Sequence, residues 1–126
     1  MYNAIPLSVA ALIAAAVISI GSFYLCSPQR ISPSFGLNPP ASDPDTRAWL
    51  RLKGIRDVGS GLVILTLMLT VGAHTVGLAM LAFAIIPLGD MFIVLTSNGS
   101  KSKAFSIHGA TCAVMLIAGL FLIQIL

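Results

Sequence analysis

The sequence predicts an all-α, four-transmembrane-helix bundle, and three observations carry that prediction. The 126 residues are 57% hydrophobic and 9% charged, with a mean hydropathy of +0.99, where soluble domains carry roughly 25% charged residues. The apolar residues gather in four stretches, about 4–25, 55–71, 76–95 and 104–126. Each approaches the roughly 20 residues that a helix needs to cross a bilayer core of about 30 Å. Most of the Lys and Arg lie in the connections between the stretches. Residues 1–126 read as one integral membrane domain, and nothing in the composition marks a second.

The first stretch has no basic residues ahead of it and outruns the ~7–15 residues of a signal-peptide core, so it reads as a span. Ser8, Leu12, Ala15, Ser19 and Ser22 form a small, slightly polar stripe expected to close the bundle. The connection 26–53 is rich in Pro, Ser and Asn and cannot be one continuous helix. Asp45 or Thr46 is placed to cap a short interfacial helix carrying Trp49 with Arg47, Arg51 and Lys53. A solvated linker is the alternative there, and a loop of this length is also a candidate lid.

Arg56 and Asp57 open the second stretch, with Ser60 on the same broad face. In the third, Phe83, Ile86, Pro87 and Asp90 share a face, and Pro87 cannot donate to the Phe83 carbonyl, which predicts a kink beside Asp90. In the fourth, His108, Cys112, Met115 and Gly119 share a face.

The turn at 72–75 carries no Lys or Arg, whereas the loops 26–53 and 96–103 do. In a four-span chain those two loops lie on one side, and the positive-inside rule makes that side cytosolic and both termini luminal or exterior. The membrane would be the endoplasmic reticulum or another endomembrane. Asn98-Gly99-Ser100 matches a glycosylation sequon but falls on the cytosolic side, where it would stay unmodified. Neither the net charge of +3 nor its placement reads as a nucleic-acid footprint. Cys26 and Cys112 form no redox pair, and His74 reads as a turn residue.

This orientation places Arg56, Asp57, Asp90 and His108 roughly 0–10 Å inside one boundary, at a common depth. Ionisable groups held within a membrane default to a functional site. The bland alternatives are an Arg56 that snorkels, an Asp57 that caps its helix and an Asp90–His108 pair that acts as interhelical glue. Asp90 resists them best, because no helix N-terminus supports it. No metal-ligand spacing, nucleotide loop or haem motif is present, so no metal and no cofactor are expected.

The string Leu52-Lys53-Gly54-Ile55-Arg56-Asp57-Val58-Gly59-Ser60-Gly61-Leu62, followed by Leu88-Gly89-Asp90 and His108-Gly109-Ala110, resembles a family of small four-span membrane proteins known as a domain of unknown function. That family is frequent in fungi and bacteria. The resemblance matches Gly54, Arg56, Asp57, Asp90 and His108 to its pattern. Some fungal relatives are similar to proteins encoded beside enzymes of polyketide and terpenoid biosynthesis, which implies a tailoring role on lipophilic metabolites.

The function expected from these parts is cofactor-free acid–base chemistry on such a metabolite: epoxide opening by hydrolysis or cyclisation, or isomerisation. The Asp–Arg–Asp grouping is similar to the one soluble limonene-type epoxide hydrolases use. Asp90 and Asp57 would be acid and base in either order, Arg56 the orienting cation and His108 a proton shuttle. Ser60, Phe83, Cys112 and Met115 are the expected substrate contacts. The expected partners are a lipophilic small molecule and the bilayer, without nucleic acid, and a homodimer is left open. The alternatives are a small-molecule transporter and a non-enzymatic membrane scaffold.

Overall fold

The computed structural model describes residues 3–125 and is helical throughout, with no strand among those residues. Helix α1 spans Ala4–Cys26, α2 is the short turn Pro28–Ile31, α3 spans Pro44–Thr70, α4 spans Ala73–Phe83 and α5 spans Ile85–Thr96. Helix α6 runs Lys101–Leu122, with a π-helical segment over Ala104–Gly109.

Three helices are long and apolar enough to cross a membrane: Ala4–Cys26, Ala73–Thr96 taken across α4 and α5, and Lys101–Leu122. They point to a membrane protein. The expected fourth, 55–71, is not a separate span of that kind. It is the C-terminal part of α3, which begins at Pro44 and carries Arg47, Arg51, Lys53, Arg56 and Asp57 along the way. No proline separates residues 45–55, and the Arg, Ala, Leu and Lys there are good helix formers. The basic segment and the apolar segment therefore fuse into one helix of 27 residues. Its cap also differs from expectation. Pro44, which has no N–H to satisfy, takes the first helical position. Asp43 then caps, accepting from the Thr46 hydroxyl and from the Thr46 amide at 2.9 Å, and these two bonds hold its carboxyl below the usual carboxylate range.

Helices α1 and α3 pack along their lengths, and glycine sets their separation. A Cβ on Gly21 would lie 2.6 Å from the Gly54 carbonyl oxygen, and one on Gly61 would lie 2.7 Å from the Ala14 carbonyl oxygen. Contacts that short exclude any larger residue. Arg51 ties the same pair at its end, its Nε donating to the Leu25 carbonyl at 3.2 Å, where the helix dipole favours a cation. The second pair is α4 with α6, in which a Cβ on Gly77 would meet Leu122 Cβ at 2.7 Å.

The stripe expected to close the bundle faces outward instead. Ser8, Leu12, Ala15, Ser19 and Ser22 are all exposed, while Pro6, Ala10, Ala14, Gly21 and Tyr24 are buried. Ser8, Ser19 and Ser22 each donate to the carbonyl four residues back. A hydroxyl satisfied within its own helix needs no neighbour. Ala10, Ala14, Ile64, Met80, Cys112 and Leu122 belong to the core between the pairs, and large apolar side chains such as Leu12, Leu69, Ile85 and Phe92 cover the outside. Contiguous exposed apolar surface of this kind fits a lipid environment better than water.

Helix α4 gives way to α5 at Ala84. Pro87 sits three residues on, where it leaves the Phe83 carbonyl without its usual donor. The connection after α1 folds back as a strap: α2, a 3₁₀ turn over Ser32–Phe35, and Gly36 at φ 109°. The Gly36 oxygen accepts from the Ser100 amide at 2.7 Å, and the left-handed φ at that point suits glycine.

Replacing Gly54 with Val is expected to cost roughly 1–3 kcal/mol by forcing α1 and α3 apart. The loss should appear as a lower unfolding midpoint in detergent. Gly59→Ala is the control, since a Cβ there meets nothing within 4 Å, and it should hold or raise the midpoint.

Candidate functional site

A cavity of about 340 Å³ lies between α1, α3, α5 and the start of α6, beneath the strap. One end is polar, lined by Tyr24, Ser34, Lys53, Asp57, Ser60, Asp90, His108 and Thr111. The rest is apolar, with Ile13, Val17, Ile64, Phe83, Pro87 and Met115 among its walls.

Helical phase selects these residues. On α3, Lys53, Asp57, Ser60 and Ile64 recur at spacings of four, three and four and so share one face. Lys53 Nζ and Asp57 Oδ2 are 2.5 Å apart. The ammonium also lies 4.7 Å from the Tyr24 ring centre and 5.1 Å from that of Phe35, within cation–π range. The charge is thus held by one carboxylate and two aromatic faces.

Across the cavity, His108 is buried and its Nε2 lies 2.8 Å from the Phe35 carbonyl oxygen. A carbonyl only accepts, so Nε2 carries a hydrogen. Phe35 also packs its ring on the imidazole, with centres 4.5 Å apart. The other nitrogen, Nδ1, faces Asp90 Oδ2 at 3.8 Å, beyond direct hydrogen-bond length. Nδ1 is therefore the ring nitrogen that keeps an acceptor lone pair toward Asp90.

Of the residues singled out from sequence, Asp57, Asp90, His108, Ser60, Phe83 and Met115 all line this one cavity. Two do not. Arg56 is exposed and outside the lining. It sits about 100° round the helix from Asp57, and Lys53, one turn before Asp57, supplies the cation in its place. Cys112 is buried in the core among Met80, Ala84 and Met115 instead of lining the cavity, and Thr111 takes the lining position on α6. Sequence reasoning also missed Tyr24, Ser34 and Phe35. Lys53 carried a usable signal in its i,i+4 spacing to Asp57. Phe35 carried none, because only the folded strap brings residues 35 and 108 together.

Among the described residues no group of three or more His, Cys, Asp or Glu is placed to hold a metal ion. The arrangement offers two carboxylates, an ammonium and an oriented imidazole around one small apolar space. That set can accept, donate and relay protons at a bound molecule.

The strap is tied down by Lys103 Nζ donating to the Pro33 carbonyl at 2.9 Å and by the His108–Phe35 bond. Removing one such bond, at about 1 kcal/mol, should raise strap opening roughly fivefold. Lys103→Met and His108→Ala are each expected to speed tryptic cleavage after the exposed Arg30 by that factor in detergent solution.

No curated protein and no solved structure matches the chain. The family model described as Domain of unknown function (DUF4267) matches residues 14–122, a range that takes in every residue lining the cavity except Ile13. The chain belongs to that family.

Proposed function

We propose that the protein is a cofactor-free acid–base enzyme of four membrane spans, acting on a lipophilic metabolite by epoxide opening or by isomerisation. The observation that carries this reading is the shared cavity, in which Asp57 and Asp90 stand with Lys53 and His108 in apolar surroundings. At about 340 Å³, it falls at the small end of small-molecule sites.

The fourth span is α3, whose 27 residues reach about 40 Å and lie against α1. The strap and the segment around Ser100 and Lys103 bond to each other, which supports placing both connections on one side. Arg30, Arg47, Arg51, Lys53, Lys101 and Lys103 cluster in those connections or beside them, and the charge rule assigns that side to the cytosol.

In epoxide opening, one carboxylate takes a proton from water, or from a hydroxyl of the substrate, as that oxygen attacks the ring carbon. The C–O bond breaks, and the released oxygen takes a proton from the opposing acid. Hydrolysis adds one water in total, and cyclisation adds none. His108 returns protons between Asp90 and the substrate through Nδ1. Isomerisation uses the same parts, with a C–H proton removed on one side and a proton returned at another carbon. Lys53 takes the part of orienting cation expected of Arg56.

The test incubates membranes bearing the wild type or a variant with lipophilic epoxides and biosynthetic intermediates, and follows products by mass spectrometry. Asp90→Asn should lower turnover roughly 10²–10⁴-fold, while Arg56→Gln should leave it near wild type. Full turnover by Asp90→Asn would overturn the assignment, and movement of unchanged compound across sealed vesicles would favour a transporter. For the orientation, Asn98 should gain no glycan in microsomes, and a glycosidase-sensitive mass shift removed by Asn98→Gln would reverse it.

A further inference from the structure

At its basic end the molecule consists of two helix pairs, α1 with α3 and α5 with the first turns of α6, which scarcely touch each other. The cavity is the wedge between the pairs. The strap closes its end through three bonds: His108 Nε2 to the Phe35 carbonyl, Lys103 Nζ to the Pro33 carbonyl and the Ser100 amide to the Gly36 carbonyl. Tyr24 and Ser32 are buried there.

The sides of the wedge are not closed. Ile20 of α1, Ile86 of α5 and Ile107 of α6 all line the cavity, yet they are 43%, 42% and 42% exposed. A side chain that lines a cavity and is also exposed stands at a mouth: the three isoleucines and Ala16 mark the apolar sides, and Ser34 marks the strap end. The depth of the apolar mouth follows from helix geometry. Below Tyr24, Ile20 precedes Cys26, the end of α1, by six residues, and Ile13 precedes it by thirteen, so the apolar part of the α1 wall runs from about 9 to about 20 Å below that end. In a bilayer core about 30 Å thick that interval is hydrocarbon.

We propose that the cavity is a lateral portal. It draws an uncharged lipophile from the hydrocarbon of the bilayer, past Ile20, Ile86 and Ile107, and presents one polar group of that molecule to Asp90. The rim sets the ligand class, because three isoleucines offer no hydrogen bond and a charged group crossing them would be strongly disfavoured. The inner end sets the polar group. Lys53 and Asp57 are paired through Oδ2 at 2.5 Å, whereas Asp90 stands 3.8 Å from His108 Nδ1, has no partner at hydrogen-bond length among the described residues, and keeps both oxygens for a ligand. A hydroxyl or an epoxide oxygen fits that place. The portal rests on the proposed function only in taking this cavity as the ligand site.

Carbodiimides test the route without any turnover. The full chain is reconstituted in liposomes and treated either with dicyclohexylcarbodiimide, which dissolves in hydrocarbon, or with a carbodiimide bearing a quaternary ammonium, which stays in water. Each reagent adds to a carboxyl group and rearranges to a stable N-acylurea that peptide mass spectrometry locates, with Asp90→Asn as the site control. The lipophilic reagent should modify Asp90 at least about tenfold faster than the charged one. Ile20→Trp, Ile86→Trp and Ile107→Trp should slow that labelling several-fold, Ile20→Ala should speed it, and Leu69→Trp on the outer surface should leave it unchanged. The portal is overturned if the charged reagent labels Asp90 as fast, if the rim variants label like wild type, or if the lipophilic reagent leaves Asp90 unmodified. Rim-dependent labelling in a protein that turns over no substrate would sink the enzyme reading and leave the portal standing.

Discussion

The backbone contact between α1 and α3 is the constraint on which the rest of the architecture depends. Gly21 against Gly54, and Gly61 against Ala14, let each helix approach the other's backbone more closely than a Cβ would allow. That approach fixes the rotation of α3 about its axis. With Gly54 and Gly61 turned to α1, Lys53, Asp57, Ser60 and Ile64 must turn to the interior, and Arg56 must turn out. The identity of the cation beside Asp57 is thus a consequence of glycine packing one residue away. Arg51, reaching back to the Leu25 carbonyl, fastens the same pair where its polar residues begin.

The two pairs do different work along the molecule. Away from the basic end, Ala10, Ala14, Met80, Ala118 and Leu122 fill the space between them, and Gly77 and Gly119 hold α4 and α6 close. Toward the basic end the pairs diverge, and the gap is bridged by the strap instead of by helix contact. The π-helical segment at Ala104–Gly109 lies at this divergence and carries His108. Such segments often mark functional positions within a helix. The Ala84 break and Pro87 lie on the facing helix, so both members of the second pair depart from regular α geometry beside the same cavity.

The charges within the cavity are held unequally: Lys53, Asp57 and His108 have close partners, and Asp90 has none at hydrogen-bond length. Lys53 is held by Asp57 and by the faces of Tyr24 and Phe35. His108 is oriented by a backbone carbonyl, which accepts a hydrogen bond without carrying a formal charge. Phe35 serves both groups, its ring packing at a tilt on the imidazole and facing the ammonium. A single residue of the strap therefore joins the lid to the proton-handling groups, and movement of the strap would disturb the imidazole and the ammonium together.

The sequence alone determined the helical class, the apolar stretches, the family resemblance and most of the polar cluster. Each of these is written in local composition and spacing: hydropathy marks membrane-length helices, and Asp57, Asp90 and His108 stand out because charge is costly among apolar residues. Tertiary structure decided what depends on the rotation of one helix against another. The stripe of Ser8, Leu12, Ala15, Ser19 and Ser22 was expected inside, and the fit of Ala14 and Gly21 against Gly61 and Gly54 turns it outward. The same fit exchanged Arg56 for Lys53, and the packing of α6 exchanged Cys112 for Thr111. The strap was beyond sequence for a different reason: its bonds join residues some 70 positions apart, and no periodicity along the chain encodes a contact between a loop carbonyl and a distant imidazole.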